Sequence, residues 1–134
     1  MPRFLASCTY VTFFGIAAGL AFAAPAIADA SSETVTAATH AELAAGAGDI
    51  EGVHMHLHHS LNCLVGPGGN GFDAKQLNPC AQSGHGAIPD TSDATKKSSL
   101  KAAADNARAG LASNNVKEAR RDASAAASLL KPGK

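Results

Sequence analysis

The sequence predicts an all-α protein, a four-helix bundle made of two αα-hairpins with a disulfide-stapled loop between them. Alanine is the most common of the 134 residues and only 4% are aromatic, which is typical of a helical chain. Apolar residues recur at three- and four-residue steps in two separate segments, which is the period of a helix. A break that contains capping residues interrupts each segment, so we expect each to fold back as a hairpin.

Residues 1–28 are predicted to be a signal peptide. Arg3 gives a charged start, residues 11–22 form an uncharged apolar run, and the alanines at positions 26, 28 and 30 fit the small-residue cleavage rule. We expect the mature chain to begin at Asp29 or Ser31, to be periplasmic or secreted, and to keep no stable membrane anchor. An uncleaved anchor is the alternative, but the apolar run is short for a span of about 20 residues.

Residues 29–65 are predicted to form a histidine-rich helical hairpin. The first helix should open near Ser32 and end at residues 46–48, because glycine commonly terminates helices. Asp49 is a good N-cap for the second helix. That helix should end at the Gly-Pro-Gly-Gly of residues 66–69 and present one apolar seam, which consists of Ile50, Val53, Leu57, Leu61 and Leu64.

Residues 66–91 are predicted to be a Gly/Pro-rich loop tethered by a disulfide. Cys63 and Cys80 both survive signal cleavage, and an oxidising compartment favours a bridge between them. The alternative is that both thiolates bind a metal. Asp73 is the only acidic residue of this segment before Asp90, so a calcium-binding loop with several carboxylates is excluded.

Residues 92–134 are predicted to form a second helical hairpin, capped at Ser92 or Asp93 and interrupted at residues 113–115. A shift of 66 residues superposes the turn, the cap and the seam of the first hairpin on this one. We interpret the chain as a duplicated αα-hairpin. The apolar faces of its two helices are Leu100, Ala104, Ala107 and Leu111, and Val116, Ala119, Ala123, Ala126 and Leu130.

The charge distribution argues against a nucleic-acid partner. Residues 29–73 contain no lysine or arginine, residues 94–134 are mainly basic, and the formal net charge is zero. A protein that binds phosphate backbones normally has a basic surplus. Metal ions are therefore the expected partners, and the sequence does not identify a protein partner.

Five of the six histidines fall within the first hairpin, and imidazole is the commonest metal ligand in proteins. His54 and His58 are one helical turn apart, a spacing that lets two imidazoles share an ion. His40 lies about as far before a turn at Ala47 as His54 lies after it. We therefore predict a metal site at His40, His54 and His58 with one open position. Copper is favoured by the Irving–Williams order, with nickel or zinc as the alternatives.

The remaining histidines could form a second, weaker metal site. His56 lies on the other flank of the seam, His59 should point away from it, and His85 could reach them from the loop. The alternative is that all these histidines are ordinary polar surface. Met55 is more often a filler residue, although its thioether would suit Cu(I).

The first hairpin resembles the periplasmic small metal-binding protein family, whose helical hairpins carry repeated histidines. The matching stretches are Ala38-Thr39-His40-Ala41, Gly46-Ala47-Gly48-Asp49, and the residues from Val53-His54 through Leu57-His58 to Leu61, so the resemblance covers mainly residues 38–64. It implies a non-enzymatic metal-binding role. The second hairpin departs from the pattern because it has no histidine, which implies a smaller metal capacity.

Three classes of function follow. The first is an exported protein that buffers, scavenges or carries a divalent transition metal. The second is a non-catalytic structural or partner-binding secreted protein. An enzyme is not expected, because the predicted mature chain has no cysteine nucleophile outside the predicted disulfide, no hydrolase serine motif, and no glutamate beside the histidines to act as a general base.

Overall fold

The computed structural model describes residues 29–131, and the predicted signal peptide at residues 1–28 lies outside them. Throughout this range the regular structure is helical, with no strand, as the sequence predicts. No helix in this range is both long enough and apolar enough to cross a membrane. The helices are α1 (Ala30–Gly46), α2 (Ile50–Val65), the short α3 (Ala87–Asp90), α4 (Ala94–Ala112) and α5 (Val116–Leu130).

Each long helix begins at a side-chain cap. Asp49, Asp93 and Asn115 accept hydrogen bonds from backbone N–H groups of the first turns of α2, α4 and α5, which satisfies donors that have no partner within the helix. α1 begins earlier than the predicted Ser32, because Asp29 caps it by accepting from the N–H groups of Ser31 and Ser32.

The two hairpins have matching boundaries. α1 ends at Gly46 and α4 at Ala112, while α2 begins at Ile50 and α5 at Val116, so both turns fit one 66-residue shift. α1 packs against α2 and α5, and α4 packs against the same two helices. The α1–α2 hairpin is therefore held against the α4–α5 hairpin mainly by the α1–α5 and α2–α4 contacts, with a smaller contact between α2 and α5.

The core combines leucines from α2 with alanines from the other long helices. Leu57, Leu61 and Leu64 of α2 are fully buried or nearly so, whereas the buried positions of α1 are mainly alanines. Small side chains let helices approach closely. One close approach is at Gly110 of α4, where an added Cβ would lie only 2.6 Å from Cδ1 of Leu57.

The segment between α2 and α4 is tied to the helices at several points. The predicted disulfide between Cys63 and Cys80 is present. The buried side chain of Asn62 donates to the carbonyl oxygens of Asp73 and Leu77 and accepts from the Asp73 N–H group. These bonds supply partners for loop backbone that would otherwise be unsatisfied.

Two parts of this segment, at Gly66 and at His85–Gly86, cross each other at the end of α2. Gly66 has φ +66°, and an added Cβ there would lie 1.5 Å from the carbonyl oxygen of His85. Only glycine permits this approach. The Gly86 N–H group donates to the buried carboxyl group of Glu33 at 2.9 Å, which fastens the crossing to α1.

Candidate metal centre

Three histidines converge between α1 and α2. His40, His56 and His59 each offer one ring nitrogen, and these nitrogens all lie within 4.8 Å of one another. The Nδ1 atoms of His40 and His56 are 3.4 Å apart. The ring of His59 stands edge-on to both others, at centroid distances of 5.0 Å from His40 and 5.9 Å from His56.

The hairpin turn sets which histidines meet. α1 ends at Gly46 and α2 begins at Ile50, so the turn is centred on Gly48. His40 lies as far before that centre as His56 lies after it, and antiparallel neighbours at equal distance from a turn are adjacent. His59 then joins because it follows His56 by three residues on the same helix face.

A buried hydrogen bond fixes the relative position of the two helices beside the cluster. The Ser60 hydroxyl donates to the carbonyl oxygen of Ala37 at 2.8 Å. Ser60 directly follows His59 in the sequence, and Ala37 lies one helical turn before His40. The register of α1 against α2 is therefore set within one turn of the ligands.

The environment favours uncharged imidazole. Burial lowers the pKa of His40, and the neighbouring His59 and His56 lower it further. Burial also lowers the pKa of His59, with further contributions from His56 and His58. Lowered pKa values keep lone pairs available near neutral pH, and a metal ion binds imidazole through such a lone pair.

The other predicted ligands lie elsewhere. Nε2 of His54 donates to the carbonyl oxygen of Ser113, in the turn between α4 and α5, at 3.0 Å. Nδ1 of His58 lies 3.8 Å from a carboxylate oxygen of Asp73. The structure therefore does not bring His54 and His58 together with His40.

The predicted second set is also divided. His56 and His59 are together, as predicted, but they lie with His40. His85 is separate from them, because its Nδ1 lies 3.4 Å from a carboxylate oxygen of Asp90. His59, predicted to point away from the seam, is only 8% exposed.

The difference between the predicted and the observed groupings of histidines has a geometrical cause. The apolar seam of α2 has two histidine-bearing flanks, and either flank of a helix can face its hairpin partner. Here the flank with His56 and His59 faces α1, whereas the flank with His54 and His58 faces the α4–α5 turn and the loop. A turn centre placed at Gly48 instead of Ala47 would have indicated His56 as the neighbour of His40.

The cluster fits a small transition-metal ion. Metal–nitrogen bonds of about 2.0–2.1 Å in a tetrahedral site place two ligand nitrogens roughly 3.3–3.4 Å apart. The separation of the His40 and His56 Nδ1 atoms already has this value, and the three ligand nitrogens lie within 4.8 Å of one another. Nδ1 of His59 is buried with no hydrogen-bond partner among the described residues.

The donor set is purely nitrogen. None of the aspartates and glutamates in residues 29–131 joins the three imidazoles, and the disulfide removes Cys63 and Cys80 as thiolate ligands. His56 also lines a surface depression of about 370 Å³ between the ends of α1 and α2. If an ion were bound, such a depression would give water or an external group access to it as a fourth ligand.

Comparison with known proteins gives no significant match, whether by family model, by curated sequence or by solved structure.

Proposed function

We propose that this protein is an exported small metal-binding protein that buffers, scavenges or carries a divalent transition metal. The observation that carries the proposal is the convergence of His40, His56 and His59, whose ring nitrogens lie within 4.8 Å of one another. Copper is favoured, because affinities of nitrogen sites follow the Irving–Williams order, and nickel or zinc is the alternative.

Two further features support a binding role without catalysis. Residues 38–64 resemble the periplasmic small metal-binding protein family, although of the histidines that carry the resemblance only His40 belongs to the cluster. No carboxylate of the described residues stands beside the imidazoles as a general base, which a hydrolytic zinc centre commonly uses. The contacts among α1, α2, α4 and α5 favour a four-helix bundle as the scaffold.

Export is part of the proposal and has its own test. Cleavage after Ala28 would leave Asp29, which caps α1 and whose backbone N–H group donates to the carbonyl oxygen of Ser83 at 3.1 Å. Cleavage after Ala30 would remove this cap. We therefore expect the mature chain to begin at Asp29, and the intact mass of protein from the periplasmic fraction measures this. A membrane-bound species that retains Met1 would contradict it.

The metal site is tested by calorimetric titration of copper into the untagged protein and two variants. His59→Ala should lower the affinity at least tenfold, because it removes one of three ligands. His54→Ala is the matched control on the same helix and should bind as the parent does. Thermal melts of the metal-free variants verify that each is folded.

The same titration discriminates the alternative, a non-catalytic structural or partner-binding protein. In that case the side chains of Val35 and Leu77, which are 59% and 63% exposed, would be available to a partner. Absence of copper, nickel and zinc uptake by the parent would support it. Equal binding by His54→Ala and His59→Ala would refute the assignment of the site to this cluster.

A further inference from the structure

The loop between α2 and α4 is far more constrained than the metal site requires. The disulfide, the Asn62 hydrogen bonds and the glycine crossing at Gly66 hold it in one conformation. None of the three clustered histidines belongs to it. A loop of this length that is fixed so thoroughly is commonly functional, so the surface it builds needs its own explanation.

The loop forms one wall of a large cleft. The cleft measures about 680 Å³ and lies between residues 65–70, α3 and one face of α4. This volume is within the range of about 300–1,000 Å³ typical of small-molecule sites. Val65, Ile88 and Pro89 give it an apolar surface.

The opposite wall of the cleft is basic. Lys97, Lys101 and Arg108 line it from α4, together with a single acidic residue, Asp105. Arg108 donates to Asp105 at 2.7 Å, so the carboxylate is neutralised within the wall. Arg108 also donates to the carbonyl oxygen of Asn70 at 2.8 Å, which joins this wall to the loop.

The two lysines have no such partner. Lys97 and Lys101 are one helical turn apart on the same face of α4, and neither forms an ion pair with a carboxylate of the described residues. His85 at the rim adds positive charge only when protonated, and its neighbour is Asp90. Near neutral pH the cleft therefore combines an apolar surface with two uncompensated ammonium groups.

We propose that this cleft binds a small organic anion with an apolar body, such as an aryl or alkyl carboxylate. The apolar part would lie against Val65, Ile88 and Pro89, and the acidic group would pair with Lys97 and Lys101. The loop is held rigid before the ligand arrives, so little ordering entropy opposes binding. The site is separate from the histidine cluster and does not depend on the proposed metal function.

The probes are chosen to separate the apolar and ionic contributions. 4-Phenylbutyrate and 4-phenylbutylamine have the same apolar body and opposite charge, and acetate has the acidic group alone. Titrations of the disulfide-bonded protein are followed by two-dimensional amide NMR. 4-Phenylbutyrate should shift the amides that line the cleft and should bind at least tenfold more tightly than the amine or acetate.

Charge-neutral variants then test the lysines. The double variant Lys97→Gln, Lys101→Gln should weaken 4-phenylbutyrate binding about five- to tenfold, because two ion pairs are lost. Lys75→Gln, Lys117→Gln is the matched control, since it removes the same charge from exposed positions outside the cleft. Ile88→Ala should weaken the aromatic anion while leaving acetate unchanged.

Three results would each overturn the proposal. The first is no binding of 4-phenylbutyrate at about 10 mM, and the second is equal binding of the anion and the amine. The third is an equal loss of affinity in the cleft and control double variants, which would indicate a general effect of net charge. Neither of the lysines is fully buried, so both double variants are expected to fold.

Discussion

The Nδ1 atoms of His40 and His56 face each other at 3.4 Å across the α1–α2 interface. Two neutral imidazoles can share this contact only if one carries its proton on Nδ1 and the other on Nε2. A metal ion that bound both Nδ1 atoms would move that proton to the far side of its ring. The hairpin thus holds two ligand nitrogens of the proposed metal site close together without an ion.

Copper binding should persist below pH 6.5. Protons compete with metal for imidazole, and the burial that lowers the pKa values of His40 and His59 makes this competition weaker than at an exposed histidine. Affinity should therefore begin to fall only below the ordinary histidine pKa of about 6.5. Copper titrations at pH 7.5, 6.5 and 5.5 measure this, with a free histidine-containing peptide as the reference. A decline that parallels the peptide would contradict the prediction.

Glu33→Gln should stabilise the protein at neutral pH. Glu33 is fully buried, and burial raises the pKa of its carboxyl group; hydrogen bonding from Gly86 lowers it, while the charge of Asp90 raises it. The folded state therefore binds the Glu33 proton more tightly than the unfolded state, so the Glu33 contribution to stability falls as pH rises above about 4.5. The neutral amide introduced by Glu33→Gln removes the cost of burying an ionised carboxylate, and its NH2 group can donate a hydrogen bond towards Asp90.

We expect the unfolding free energy of Glu33→Gln to exceed that of the parent by roughly 1–3 kcal/mol at pH 7, and the two to converge near pH 4. Urea melts at both pH values give the difference. Glu42→Gln is the control, because Glu42 is exposed and pairs with Lys131 at 3.1 Å. A Glu33→Gln protein that is less stable at pH 7 would show that the ionised carboxylate is structurally required.

Reducing the Cys63–Cys80 disulfide should destabilise the fold. The bridge joins residues 17 apart and so limits the freedom of the unfolded chain, which is worth about 2–4 kcal/mol. Urea melts with and without dithiothreitol measure the effect. The variant Cys63→Ala, Cys80→Ala should be insensitive to dithiothreitol and should match the reduced parent. Two reactive thiols in the denatured, unreduced parent would refute the bridge.

Gly110→Ala should destabilise the protein although alanine is the better helix former. The added Cβ would lie 2.6 Å from Cδ1 of Leu57 and 3.2 Å from the carbonyl oxygen of Ala119. Overpacking typically costs about 1–3 kcal/mol, against a gain of about 1 kcal/mol in helix propensity. Gly46→Ala is the matched control, since a Cβ there meets nothing within 4 Å. Thermal melts should place Gly110→Ala below the parent and Gly46→Ala at or above it.

Much of the fold could be predicted because its signals are local. The caps at Asp49 and Asn115 and the leucine seam of α2 each depend on a few neighbouring residues. The disulfide was predicted from the expected oxidising compartment and from the two cysteines that follow the predicted cleavage site. The extended tethering by Asn62 was not predicted, because a buried asparagine inside an apolar seam gives no indication of which loop carbonyls it will meet.

Which histidines of α2 lie beside His40 could not be predicted from the sequence, because this depends on a relation between helices. The histidines of α2 lie on both flanks of its apolar seam. A shift of one residue in the turn centre therefore exchanges His54 for His56 as the expected neighbour of His40. Sequence periodicity places His58 and His59 on the helix, but it does not determine which flank faces α1. His59 is buried because its flank of α2 is the one that faces α1.

The absence of a carboxylate among the described residues of the cluster has an electrostatic consequence. The full chain has a formal net charge of zero at pH 7, and loss of residues 1–28 removes Arg3 and leaves the proposed mature chain at −1. Three neutral imidazoles leave the charge of a bound divalent ion uncompensated, so one bound ion changes the net charge from −1 to +1 and raises the isoelectric point. Empty and loaded protein would separate on a cation exchanger at pH 7, and an acidic acceptor surface could distinguish them by long-range attraction alone.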